Sequence, residues 1–177
     1  CLPEEKLWLN KKCRAEWKLR PALCYGENMC CGCYRSPLGP LLLAWEEDGL
    51  TGLWMNREMP EKLQPIPEEI RKWLDDYFSG QPGIISFPLK PVGTDFQKQV
   101  WQILLTIPYG RVRTYGDIAR EMAALNGKEK MSAQAVGQAV GKNPISILIP
   151  CHRVVGTGGK LTGYAYGLEK KIWLLRH

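Results

Sequence analysis

A change of hydrophobic period partway along the chain constrains its fold more than any other feature. Before the change, apolar residues come in short strand-sized runs separated by turn residues. After it, they recur at helical spacing behind capping signals. The break falls in residues 81–93, where Pro82, Pro88, Pro91 and two glycines interrupt both patterns. A length of 177 residues suits one ordinary domain or two small ones. The pattern predicts an α+β protein. Residues 29–90 are expected to form a small N-terminal α/β domain with an antiparallel sheet. Residues 91–177 are expected to form a mainly helical domain. Residues 1–28 match neither pattern, although Trp8 to Lys18 could make a short helix with a thin apolar face. The sequence opens on Cys1 rather than Met, and this segment is read as extra and expected to be poorly ordered.

In the first half, Cys30 to Arg35 precedes the turn Ser36-Pro37-Leu38-Gly39-Pro40. Leu41 to Trp45 then runs into Glu46-Glu47-Asp48-Gly49 and on to Leu50–Met55. Asp-Gly between two apolar runs is a hairpin signal. Pro67-Glu68-Glu69 opens a helix whose apolar stripe is Ile70, Trp73, Leu74, Tyr77 and Phe78, ending at Gly80. In the second half, Thr94 with Gln97 reads as a capping box, followed by Phe96, Val100, Ile103, Leu104 and Ile107. Thr114 with Asp117 starts the next helix, and Ser132 caps another that runs to about Gly141. Two short helices about a glycine-bearing turn predict a helix-turn-helix, with a longer turn than usual. Ile145 to Ile149 reads as a buried strand, and Leu168 to Leu175 as the final helix.

Charge divides at the same place. Residues 1–94 hold 12 basic and 13 acidic side chains, and residues 95–177 hold 12 and 5. A basic half points to a polyanion, nucleic acid first; the alternative is a solvated basic surface. No apolar run approaches the roughly 20 residues that span a bilayer. Six of the seven cysteines lie within the first 33 residues. An odd count without a secretory signal argues for a reducing compartment, so a cytoplasmic protein is expected. Cys24, Cys30, Cys31 and Cys33 lack the usual paired hooks and a nearby histidine, so free thiols are expected before a zinc site.

The seventh cysteine stands alone. In Ile145-Ser146-Ile147-Leu148-Ile149-Pro150-Cys151-His152-Arg153, an apolar run ends in proline and a Cys-His pair follows at once. A thiolate is a strong nucleophile, and an imidazole nearby can lower a thiol pKa. Neighbouring side chains point in different directions, so His152 is expected to reach Cys151 through a water. The other reading is a buried, inert cysteine beside an ordinary histidine.

Residues 149–155, Ile-Pro-Cys-His-Arg-Val-Val, match the active-site signature of the methylated-DNA–protein-cysteine methyltransferases. Ala135-Val136-Gly137, Gly141-Lys142-Asn143-Pro144 and Gly163-Tyr164 match in order and spacing, and Ser36-Pro37-Leu38-Gly39 resembles the family's N-terminal domain. The resemblance covers about residues 29–177. It implies repair of O6-alkylguanine, and of O4-alkylthymine, by transfer of the alkyl group to Cys151, once per molecule. His152 would activate the thiol. Asn143 would sit at the hinge between recognition helix and active-site strand, and Tyr115 would press on the phosphate 3′ of the target nucleotide. The helix from Ser132 to Gly141 would enter the minor groove and contact DNA through Gln134, Ala135 and Gly137, with Tyr115 and Arg153 assisting. Tyr164, Ala165, Tyr166, Val154 and Val155 would line the pocket. The partner is double-stranded DNA carrying the lesion. No membrane, metal or organic cofactor is implied, and a monomer is expected.

Independently of the resemblance, Ala133, Ala135, Gly137, Ala139 and Gly141 make a helix slim enough for a groove about 6 Å wide. They would equally suit close helix–helix packing. An alkyl carbon inside the base stack cannot meet a buried sulfur, so the nucleotide must be flipped out. Gln134 stands where many members carry an arginine that fills the gap left by the flipped base; it is shorter and uncharged. The acidic partner of the histidine falls just past the matched end of the last helix, and Glu169 does not occupy its position. Tyr166 stands where some members have glycine. It either narrows the pocket or covers the loop from the solvent side. Some members bind zinc in the N-terminal domain through histidines that this sequence lacks. Two other readings stay open: a lesion-binding module without chemistry, and a cysteine hydrolase.

Overall fold

The computed structural model describes residues 29–177. The short helix considered for Trp8 to Lys18 lies outside them, as do Cys1, Cys13 and Cys24. The fold is α+β. Strands β1 (Cys30–Ser36), β2 (Gly39–Glu46) and β3 (Gly49–Met55) form an antiparallel sheet in the order β1-β2-β3. Leu41, Leu42 and Leu43 are all buried, so β2 does not alternate. The reason is that both faces of the sheet are covered. Leu41 and Leu43 join the main core. Leu42 and Ala44 join Cys31 in a small second cluster under Met29, Trp54 and Met59. Cys30 and Cys33 also lie on β1.

The Pro/Gly segment is tied to this sheet. The Leu50 N–H donates to the Pro88 carbonyl (2.9 Å) and the Lys90 N–H to the Leu50 carbonyl (2.8 Å). Gly49 makes this approach possible: its φ is +145°, and a Cβ there would lie 2.6 Å from the Pro88 oxygen.

Among the described residues, five α-helices form where the sequence pattern places them. Helix α1 (Glu68–Phe78) starts behind Pro67 and buries Ile70, Trp73, Leu74 and Tyr77. Both capping boxes form, at Thr94–Gln97 on α2 (Asp95–Leu105) and Thr114–Asp117 on α3 (Tyr115–Leu125). Ser132 caps α4 (Ala133–Gly141), which with α3 makes the helix-turn-helix. Helix α5 (Leu168–Arg176) ends the chain. Trp101 of α2 is buried, and its indole N–H donates to the Ala139 carbonyl of α4 at 2.9 Å.

Two connections position the site. Strands β4 (Arg113–Thr114) and β5 (Val154–Val155) pair in parallel, joining the start of α3 to the chain just past Cys151. The Leu53 N–H donates to the Pro144 carbonyl (2.9 Å) and the Ser146 N–H to the Leu53 carbonyl (3.0 Å), so β3 abuts the chain before Cys151. One apolar cluster runs through both halves, from Leu41 and Leu53 to Ile118, Ile149 and Leu174.

The expected strand at Ile145–Ile149 is a set of tight turns instead. Only Ile145 makes a bridge, to Leu53. The Leu148 N–H bonds the Ser146 carbonyl (2.9 Å) around Ile147, whose φ is +72°. This is a γ-turn with a β-branched residue in the left-handed region, which costs on the order of 1–3 kcal/mol. A second, inverse γ-turn centres on Pro150 (φ −82°, ψ 61°), with the Cys151 N–H bonded to the Ile149 carbonyl at 2.8 Å. The sequence pattern missed this because all of residues 145–149 are buried, and an apolar run looks the same in a strand and in a buried turn.

Candidate active site

Cys151 opens a single 3-10 turn, Cys151–Arg153, directly after the two γ-turns. It is 7% exposed and lies against Asn143. The Asn143 side-chain amide donates to Cys151 Sγ (3.2 Å) and to the Ile149 carbonyl (2.8 Å), and its oxygen accepts from the Ile145 N–H (3.0 Å). One side chain at the end of the α4 connection thus fixes the turns and touches the sulfur.

Burial pushes the Cys151 thiol above its usual pKa. The Asn143 hydrogen bond, the charge of Lys171 and the N–H groups of Cys151 and His152 pull it down. His152 is 1% exposed. Burial first, then the charges of Arg153 and Lys171, hold its pKa down to about 3. The pair therefore rests at neutral pH as an uncharged imidazole beside a neutral thiol, not as an ion pair. His152 Nε2 lies 3.4 Å from the Tyr77 hydroxyl, and Nδ1 is buried with no hydrogen-bond partner among the described residues.

The loop from Gly156 to Gly167 brings two tyrosines over the sulfur. Tyr164 and Tyr166 meet edge to face, with centroids 5.5 Å apart. The Tyr164 hydroxyl is buried without a partner of hydrogen-bonding geometry, yet close enough for a charge on Cys151 to raise its pKa beyond the effect of burial. Tyr166 is turned inward: its hydroxyl accepts from Ser146 Oγ (3.2 Å), and burial pushes its pKa up to about 12. Val154 and Val155 are buried in β5, while Ala165 is exposed.

The base of the loop is held by Lys171, which the sequence reading did not single out. It is fully buried, and its ammonium donates to the Val154 carbonyl (2.6 Å) and the Thr162 carbonyl (3.2 Å). Burial lowers its pKa, and Cys151 opposes that shift. A lysine in a helix stripe otherwise filled by apolar residues such as Leu174 is a signal that could have found it.

The residues expected to face DNA lie on α3 and α4. Tyr115 is the first residue of α3, and a Cβ on Gly137 would lie 3.7 Å from its ring. Of the five small residues on α4, only Ala139 is packed in the core; Ala133 and Gly141 are exposed, as is Gln134. Arg153 is engaged inside the protein. It donates to the Ile107 carbonyl (2.9 Å) and stacks 5.4 Å above the Tyr109 ring.

Comparison with known proteins adds an independent line. Residues 29–91 match the family model described as 6-O-methylguanine DNA methyltransferase, ribonuclease-like domain, and residues 95–177 match that of its DNA binding domain. A methylated-DNA–protein-cysteine methyltransferase of Methanosarcina acetivorans is 44% identical over 153 residues, covering 81% of this chain and 94% of the relative. One from Mycobacterium leprae is 43% identical, covering 82% and 89%. The crystal structure of Mycobacterium tuberculosis OGT in complex with DNA superposes with a TM-score of 0.72 at 43% identity, covering 82% of this chain and 90% of that one.

Proposed function

Because this chain belongs to the O6-methylguanine DNA methyltransferase family, we propose that it repairs O6-alkylguanine, and O4-alkylthymine, in double-stranded DNA by moving the alkyl group onto Cys151. The reading rests on one observation above the others: a buried thiol held at 3.2 Å by Asn143, next to a neutral imidazole in the chain and close to two tyrosines.

The resting thiol is protonated, so it must lose its proton before attack. His152, kept neutral by burial and by two nearby cations, takes that proton through a bridging water. The sulfur lone pair then forms the S–C bond as the C–O6 bond breaks. The guanine leaves with the bonding pair and recovers one proton. The product is a thioether, so each molecule acts once. The target base reaches the sulfur by flipping, and the exposed small residues of α4 with Gln134 suit entry into the minor groove. Tyr115, packed against Gly137, would press on the phosphate 3′ of the target nucleotide. Tyr164, Tyr166, Val154 and Val155 form the pocket, with Ala165 at its rim. Arg153 supports this wall from inside the fold.

The same reading divides the chain near residue 90. Residues 29–90 form the sheet-and-helix domain, and residues 91–177 the DNA-binding and alkyl-acceptor domain. A monomer suffices, because one lesion consumes one Cys151. Among the described residues, no helix is long and apolar enough to cross a membrane.

The test is the intact mass after mixing with DNA containing O6-methylguanine. One added methyl per molecule, on the Cys151 peptide and absent from Cys151→Ala, is expected. Unchanged mass with retained binding would mean recognition without chemistry. Released product without a mass change would mean hydrolysis.

A further inference from the structure

Helix α4 carries no charged side chain from Ala133 to Gly141. Affinity for a duplex comes largely from cations set against its phosphates, so this helix needs charge from its flanks. The exposed cations next to it in the chain are Lys128 and Lys130 before it and Lys142 after it. The turn that holds the first two runs over residues 126–132, longer than the roughly three or four residues usual in a helix-turn-helix. Its backbone is well fixed. The Lys128 N–H donates to the Ala123 carbonyl (2.9 Å) and the Gly127 N–H to the Ala124 carbonyl (3.2 Å), with Gly127 at φ +61°. This is a Schellman motif, which closes the end of α3 and sets where the chain leaves it. The Asn126 side-chain amide donates to the Met122 carbonyl (2.8 Å) and to Gln99 of α2 (3.3 Å), and Ser132 then caps α4.

The turn and α3 border a groove of about 410 Å³. Gly116, Ala119 and Ala123 line it with little bulk, and Arg120, Lys128 and Lys130 line it with positive charge; Glu129 is the acid among the lining residues. Arg120 is paired with Asp117, whereas no salt bridge engages Lys128 or Lys130 among the described residues. Gly116 adjoins Tyr115, whose ring lies against Gly137, so the groove continues the face of α3 and α4 assigned above to DNA. We propose that this turn is a further DNA-contacting element, in which the ammonium groups of Lys128 and Lys130 bind phosphates of the strand that walls the minor groove at the N-terminal end of α4. The inference rests on the alkyl-transfer reading above, which puts α4 in that groove. The contacts are to backbone oxygens and serve any sequence, damaged or not. They hold the uncharged helix in place and leave the chemistry to the site around Cys151.

The experiment measures the Kd for an undamaged duplex across a range of salt concentrations. Lys128→Gln combined with Lys130→Gln is expected to weaken binding roughly tenfold at about 0.1 M NaCl. It should also flatten the slope of log affinity against log salt by nearly two units, about 0.9 for each phosphate contact. The Lys128 backbone N–H remains, so the turn keeps its shape. Glu129→Gln should tighten binding, since it removes the acid between the two lysines. Arg71→Gln combined with Lys72→Gln removes two exposed cations from α1 and should leave the slope unchanged. Methyl transfer at saturating O6-methylguanine DNA should stay within about twofold of wild type in every variant, because only the docking of the duplex is altered. A flattening no greater than the α1 pair gives, or weaker binding by Glu129→Gln, would overturn the proposal. A wild type that shows the expected slopes but transfers no methyl group would end the alkyl-transfer reading and leave this inference standing.

Discussion

Acid should destabilise this protein through His152. The folded-state pKa of this histidine is held at about 3, against 6.5 for the free side chain. A depressed histidine pKa means that the unfolded chain binds the proton and the folded protein does not. The contribution to stability is therefore complete above pH 6.5 and is lost as pH falls toward 3. Each pH unit below 6.5 costs close to 1.4 kcal/mol, so at pH 5 the loss is about 2 kcal/mol. The Asp117 carboxyl is held below its ordinary 3.8 by its bonds to Thr114, so it stays ionised between pH 8 and pH 5. The measurement is urea denaturation followed by tryptophan fluorescence at pH 8 and pH 5, for the wild type, His152→Gln and His152→Asn. Each protein is compared with itself, so the cost of the substitution cancels. The wild type should lose about 2 kcal/mol more than either variant between the two pH values. Equal losses in all three would mean that the folded protein protonates His152 readily. The neutral pair proposed for the resting site would then be wrong.

Two further substitutions probe the walls of the site. Tyr166→Gly removes the ring that bonds Ser146. Inactivation by free O6-benzylguanine should speed up by about tenfold or more while methyl transfer from DNA changes only a few-fold, because a packed pocket does not absorb a ring's volume freely; equal benzyl rates in both proteins would mean that Tyr166 does not limit the pocket. Lys171→Met unties Val154 from Thr162 and removes the cation that lowers the thiol pKa. Transfer at pH 7.5 should fall about tenfold and partly recover at pH 9, where more thiolate forms unaided; a loss that stays the same at both pH values would assign Lys171 to packing alone.

Local signals were legible in the sequence wherever the physics itself is local. The capping boxes at Thr94 and Thr114 and the Ser132 cap satisfy backbone donors three residues away, so neighbouring residues suffice to predict them. The Asp48-Gly49 hairpin and the α1 stripe follow for the same reason. Residues 145–149 did not, because burial there comes from β3 and the helices around it. The γ-turn at Ile147 is held by Asn143, Leu53 and the surrounding core against its own backbone preference.

The reaction centre divides along the same line. The nucleophile, its histidine and the asparagine all fall between residues 143 and 152, which is why a short motif reveals them. The surroundings that act on them come from elsewhere: Lys171 on α5 shifts both groups, and Tyr77, 75 residues before His152, lies against the imidazole. In the sequence both look like ordinary members of a helix stripe, one charged and one aromatic. Their role appears only when the fold buries them, since a buried ammonium without a carboxylate and a buried phenol beside an imidazole each need a partner that packing supplies. A motif can therefore identify the atom that reacts. How the proton leaves that atom depends on contacts that only the folded chain brings together.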